Sequence, residues 1–273
     1  MVTSKSIPIL LSCLFFGLLL IARPAFSQYY QKAEFCCGKQ ELQYLNIMEM
    51  QYPVKAIQNH IEGKVKLTFT LNPDGSKSDI IIHKSVGPEI DREAIRLLKL
   101  QVWKPAIRNG EKVRSKEEAS FKFHIKKYNK AVRERGYGII DHPLAPVDTG
   151  FRIYKLAELE KVPEPVFKYK NQNLANFINQ EMDYPEMAYK MNISGTVKVG
   201  FVIEKSGNVS HVCIQESVGG GCDQEAIRIL KKINWMPGVK NGNAVRARTT
   251  MKITFKLNGS DHKYMPNNQN NIY

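Results

Sequence analysis

The chain has 273 residues, a formal net charge of +14 and an apolar share of 43%. That length holds one large domain or two small ones, and the apolar share suits a packed globular protein rather than a disordered chain. A basic surface attracts nucleic acid, anionic lipid or acidic cell-wall polymer. Here, however, the Lys and Arg residues are dispersed among Glu and form no dense block, which is the pattern of a solvated basic face.

In chain order, the first predicted element is a leader. Lys5 is the only charge before an apolar run from Ile7 to Ala22, Arg23-Pro24 ends the run, and Ala25-Phe26-Ser27 follows. This is the layout of a secretory signal peptide over residues 1–27, cut after Ser27. The run is short for a membrane span of about 20 residues; an uncleaved signal anchor is the alternative. Export places the chain where disulfides persist. With Cys13 gone, Cys36, Cys37, Cys213 and Cys222 remain. Cys213 and Cys222 are candidates to pair across a strand-to-helix turn, whereas a vicinal Cys36–Cys37 bridge would be strained. The spacings match no zinc pattern.

The body of the chain repeats itself. At an offset of 132 residues, positions 52–126 align with 184–258 without a gap, the signature of a duplicated structural unit. Within each copy, Tyr-Pro precedes a short helix that ends near Gly63 or Gly195. Val65, Leu67, Phe69 and Leu71, like Val197, Val199, Phe201 and Ile203, then alternate with other residues as a strand with one buried face. Asn72-Pro73-Asp74-Gly75 and Lys205-Ser206-Gly207 predict a hairpin turn into second strands through Ile80–Ile82 and Val209–Ile214. Asp91 and Asp223 stand at expected helix N-caps, followed by Ala94, Leu98 and Val102 or Ala226, Leu230 and Ile233 at helical spacing. Trp103-x-Pro105 and Trp235-x-Pro237 end the helix. Asn-Gly turns the chain into a last strand carrying Phe121, Phe123 and Ile125, or Ile253, Phe255 and Leu257.

The predicted fold class is therefore α+β: two copies of a small module, each a three-stranded antiparallel sheet with helices packed on one face. Copy 1 spans 40–127 and copy 2 spans 171–259. Residues 128–170 form a Pro-punctuated linker with a short lead-in strand at 151–156, and Leu174, Phe177 and Ile178 begin an extra helix on copy 2. The Asn-rich tail, 260–273, is expected to be disordered.

Tyr-Pro, Gly-x-Val, an aromatic strand, a turn Gly, Asp-x-Glu-Ala, Trp-x-Pro and Asn-Gly-x-x-Val together resemble the C-terminal domain of TonB. Copy 2 is similar to the version common in Bacteroidetes-type proteins, through Gly219-Gly220-Gly221-Cys222-Asp223-x-Glu225-Ala226 and Trp235-x-Pro237-Gly238. Copy 1 departs, with Pro88-Glu89-Ile90 in place of Gly-Gly-Cys and Ala106 in place of the glycine after the proline.

The resemblance implies a periplasmic protein-binding module. A receptor's extended TonB box would add to a sheet edge, with backbone hydrogen bonds giving affinity and alternate side chains giving selectivity. By that resemblance the edge is the last strand: Ala119, Phe121, Phe123 and Ile125 in copy 1, and Met251, Ile253, Phe255 and Leu257 in copy 2. The apolar side chains there belong to the core, leaving only backbone for a partner. The implied partner is an outer-membrane TonB-dependent receptor. Self-association through the same edges and peptidoglycan binding through the basic surface are the other readings; nucleic acid is not expected. A transducer also has a membrane anchor with a histidine and a Pro-rich arm, and residues 7–22 hold no histidine and no such arm follows.

Enzymatic chemistry finds no support in the repeat. None of the six histidines recurs between copies, and no phosphate loop, nucleophile elbow or HExxH occurs. No cofactor or metal site is expected. The shared Arg96/Arg228 and Arg114/Arg246 read as exposed, either in surface ion pairs or, for Arg114 and Arg246, contacting an acidic partner.

Overall fold

The computed structural model describes residues 29–134, 146–167 and 172–257. The predicted leader and tail lie outside these residues. Copy 1 runs β1 (Tyr30–Gln31), β2 (Glu34–Phe35), α1 (Gly38–Met48), α2 (Val54–Gln58), β3 (Gly63–Leu71), β4 (Lys77–Lys84), α3 (Pro88–Leu100), β5 (Trp103–Lys104), β6 (Ala106–Arg108), β7 (Glu111–Val113), β8 (Ser115–Phe123) and α4 (Ile125–Glu134). The middle segment adds β9 (Ile153–Lys155) and β10 (Glu164–Val166). Copy 2 continues with α5 (Leu174–Glu181), α6 (Glu186–Lys190), β11 (Gly195–Ile203), β12 (Val209–Glu216), α7 (Cys222–Lys232), β13 (Asn234–Met236), β14 (Gly238–Lys240) and β15 (Asn243–Phe255).

Each copy is built on an antiparallel three-strand core, β4-β3-β8 in the first and β12-β11-β15 in the second. The fold is α+β, with the module repeated. Alternation along β3 sends Val65, Leu67, Phe69 and Leu71 inward, where they meet Ile90, Ala94, Leu97 and Leu98 of α3. The same positions of copy 2 hold Val197, Val199, Phe201 and Ile203 against Cys222, Ala226, Ile229 and Leu230. Both conserved tyrosines are pinned in the same way: Tyr52 Oη donates to Ile61 O and Tyr184 Oη to Ile193 O, each at 2.6 Å.

Repeated residues prove to be geometric necessities. A Cβ on Gly63 would sit 2.7 Å from Val86 Cγ2, and one on Gly195 3.0 Å from Val218 Cγ2. Asn109-Gly110 and Asn241-Gly242 all have positive φ, as the two-residue turns joining β6 to β7 and β14 to β15 require. Asp91 and Asp223 do not cap their helices as predicted; Gly87 and Gly221 stand there. Each Asp sits inside the first turn and accepts from the preceding loop: Asp91 from Ser85 Oγ and Val86 N, Asp223 from Ser217 Oγ and Val218 N. That is the work of the shared Ser-Val-Gly. The lead-in strand is β9, parallel to β15 through Ile153↔Arg246, Tyr154↔Ala247 and Lys155↔Arg248. The predicted extra helix is α5, with Leu174, Phe177 and Ile178 against the second core.

The two modules are clamped to one another. The N-terminal part of copy 1 lies on the outer face of copy 2: α1 packs on β12, Phe35 meets the His211 ring at 5.2 Å, Glu41 takes Lys231 at 2.7 Å, and Cys37 is disulfide-bonded to Cys213.

Candidate partner-binding edges and the clamp between modules

The predicted edge strands differ between copies. In copy 1, β8 pairs with β3 over its whole length, Ser115↔Leu71 to Phe123↔Gly63, and carries no second strand among the described residues. In copy 2, β15 is covered by β14 at Asn243–Val245 and by β9 at Arg246–Arg248. Its second side is without a strand partner over Thr249–Phe255 among the described residues. Phe121, Phe123, Met251, Ile253 and Phe255 are buried in the cores and Ala119 is half-buried. Two residues assigned to these strands fall outside them: Ile125 begins α4 and Leu257 follows the end of β15. Ile125 N donates to Glu62 Oε1 at 2.6 Å, which turns the chain out of the sheet.

Beside the open edge, α1, β8 and the start of α4 enclose a groove of about 450 Å³ lined by Ile47, Met50, Phe121, Tyr128, Lys122 and Lys127, among others.

One pair of shared arginines keeps its role between copies and the other does not. Arg96 and Arg228 are half-buried clamps rather than exposed contacts. Each pairs through Nε and Nη2 with the Glu three residues earlier and donates to the carbonyl of Glu49 or Glu181. Arg114 is 64% exposed and reaches Asp79 at 3.6 Å. Arg246, at the same repeat position, is 1% exposed. The expectation that it meets an acidic partner is overturned. Its Nε and Nη2 each hold Glu204 at 2.7 Å, while Nη1 donates to Phe151 O at 3.0 Å and Nη2 to Leu100 O at 2.9 Å. One side chain thus joins copy 2, the middle segment and the end of α3.

A polar network surrounds it. Ser206 Oγ and Asn208 Nδ2 donate to Glu49 at 2.7 and 2.9 Å, so the copy 2 hairpin turn is sewn to the end of α1. Burial and the nearby Glu204 push the Glu49 carboxyl upward. Glu204 is buried too, but Arg246 holds it below the usual range. His211 Nε2 lies 3.2 Å from the Val102 amide and accepts its hydrogen. Nδ1 therefore carries the ring proton and donates to Ser210 Oγ, which donates to Glu204 Oε1. Burial drives the His211 pKa down to about 3.

That histidine makes the clamp acid-sensitive. Its folded pKa lies below the ordinary 6.5, so between pH 6.5 and 3 the unfolded chain binds more protons, and folding stability falls as pH falls. Protonated Nε2–H would also point at the Val102 N–H. The contribution reaches about 1.4 kcal/mol per pH unit. Glu49, raised above 4.5, acts with the opposite sign in its own window, so the histidine share is isolated by difference. Denaturant midpoints of the wild type and His211→Gln, compared between pH 7 and 4.5, should converge as pH falls; parallel curves would refute the assignment.

The cysteine expectation is corrected. Cys213 bonds Cys37, not Cys222, because Cys213 lies on the face of β12 turned to copy 1. Cys222 instead fills the core site that Ile90 fills in copy 1. The sulfurs of Cys36, Cys37 and Cys213 lie within 4.8 Å of one another. Two are spent in the disulfide, and burial pushes the Cys36 thiol up to about 11, so the oxidised cluster is no thiolate donor set for a metal.

The repeated residues build turns, first-turn contacts and cores, a scaffold that leaves strand edges uncovered among the described residues. The chain belongs to the TonB C-terminal family: the model of the Gram-negative bacterial TonB protein C-terminal matches residues 48–125 and 180–257, more than half of the chain. This is a family of envelope-associated, non-enzymatic protein-interaction domains that generally engage outer-membrane receptors. No individual curated protein shows a significant match. Among the described residues no helix is long and apolar enough to cross a membrane.

Proposed function

We propose that this protein is a non-enzymatic periplasmic binding module that engages outer-membrane TonB-dependent receptors by strand addition, in support of transport across the outer membrane. The N-terminal leader pattern supports export. Residues 1–27 act as the leader, and the modules span 40–127 and 171–259. The observation that carries the reading is the asymmetry of the edges. Copy 1 offers β8 uncovered from Ser115 to Phe123, whereas copy 2 has β14 and β9 over the first half of β15. The β9–β15 pairing supplies an internal example of a short extended segment lying parallel on this edge. Copy 1 is therefore the receiving module and copy 2 the braced one.

Titrating the full chain with a receptor's TonB-box peptide tests this by amide NMR. The Ser115–Phe123 amides should shift and gain protection from exchange, while Arg246–Arg248, already paired, stay put. Shifts confined to Thr249–Phe255, or absent from both strands, would overturn it.

A further inference from the structure

Four lysines run across the outer face of the copy 1 sheet, from β4 to the open edge at β8. Lys64 and Lys122 are directly opposed across β3 and β8. Lys66 and Lys84 are directly opposed across β3 and β4. Lys64 and Lys66, two residues apart on one strand, point to the same face, so the two pairs form one cluster. None of the four has an ion-pair partner among the described residues. Lys122 and Lys64 also line the groove along β8, which has Lys127 and His124 at its basic end and no acid in its lining.

Like charges set directly opposite one another on a sheet are destabilising, and copy 2 replaces both of these pairs. Thr196 and Thr254 replace Lys64 and Lys122 and hydrogen-bond at 2.9 Å. Lys198 and Glu216 replace Lys66 and Lys84 and pair at 3.1 Å. Copy 2 keeps one like pair of its own, Lys198 opposite Lys252 of β15 where copy 1 has Lys66 opposite Ser120, and there Glu216 balances the charge. The fold therefore does not need the lysines, and the copy that keeps them is the copy whose edge is open.

A peptide lying along β8 sends alternate side chains to opposite faces of the sheet. One set falls beside Lys122 and its neighbours. The other falls toward the apolar wall of Ile47, Met50, Phe121 and Tyr128. We propose that copy 1 selects an extended peptide in which acidic residues alternate with apolar ones, the carboxylates being read by Lys122 and Lys64, with Lys66 and Lys84 adding to the positive potential of the face. This rests on the strand-addition reading and adds the chemistry of the partner.

The test uses the full chain, with an eight-residue Glu/Val alternating peptide and a Gln/Val peptide of the same length. The acidic peptide should bind at least about tenfold more tightly at low salt, with the advantage shrinking as salt rises. The Lys64→Thr/Lys122→Thr variant, carrying the copy 2 residues, should fold normally, lose that advantage and still bind the Gln/Val peptide. Equal binding of the two peptides to the wild type, with β8 amides shifting, overturns the selectivity and leaves strand addition standing. Binding of neither overturns both. If the acidic peptide binds without shifting β8 amides, and polyglutamate competes equally well, the cluster is a general polyanion surface and the proposal fails.

Discussion

Arg246→Ala should destabilise the folded chain by about 3–5 kcal/mol, the usual result of stripping one partner from a buried ion pair, while Arg114→Ala at the same repeat position should change stability by under ~0.5 kcal/mol. The contrast follows from surroundings rather than residue type. Arg246 is fully enclosed, and all three of its guanidinium nitrogens are committed, to Glu204, Phe151 O and Leu100 O. Its removal leaves the buried Glu204 without its counter-charge, in a site it shares with Glu49, whose carboxyl is already pushed upward. Arg114 stands in water opposite Asp79. Denaturant midpoints of the two variants measure the difference. A Glu204→Leu/Arg246→Met double variant should recover more than half of the loss, because removing both charges also removes the desolvation they incur. Equal effects at 114 and 246 would mean that the clamp contributes nothing to stability.

The reason this contrast was not legible in the sequence shows where sequence reading stops. Within a copy, the pattern is local. Alternation along β3 and β11, the glycines under Val86 and Val218 and the Asn-Gly turns each satisfy a constraint set by near neighbours, so the module and its duplication could be read directly. Between copies, the constraints are long-range. Val-Arg has the same immediate context at 113–114 and 245–246, yet one arginine is solvated and the other is the centre of an interface. The distinguishing signal lay 42 residues away, where Glu204 occupies the hairpin position that Asn72 holds in copy 1. A charged residue in place of a turn residue was visible, but its partner depended on how the modules pack. His211 is similar. It has no counterpart among the repeated residues, which made it look incidental, whereas non-repeated residues are what an asymmetric interface between repeats must use. At the last strands the apolar alternation outruns the ladder: Ile125 and Leu257 continue the pattern, yet Phe123 and Phe255 are the last residues that pair.

The cysteines make the same point with a testable consequence. Sequence proximity favoured Cys213 with Cys222, nine residues apart, but in a strand followed by a helix those side chains face opposite ways. The observed bridge closes a separation of 176 residues between modules. Chain-entropy reasoning assigns a cross-link of that length about 5 kcal/mol of stabilisation, so Cys213→Ser should lower stability by several kcal/mol and leave the modules held by non-covalent contacts alone. That variant should then show the acid sensitivity of His211 as separation of the modules rather than global unfolding. Cys37→Ser should behave differently. The Cys36 sulfur lies 3.0 Å from that of Cys37 and within 4.8 Å of that of Cys213, so Cys36 can take the vacant place under oxidising conditions and retain most of the stabilisation. Because burial holds the Cys36 thiol near 11, this replacement bridge should form slowly, the thiolate being the reactive species. Alkylation in denaturant followed by mass measurement separates the cases: Cys36 and Cys37 are both modified in Cys213→Ser, whereas Cys36 and Cys213 are both protected in Cys37→Ser. Equal modification in both would show that the two adjacent cysteines are not interchangeable and that the staple depends on Cys37 alone.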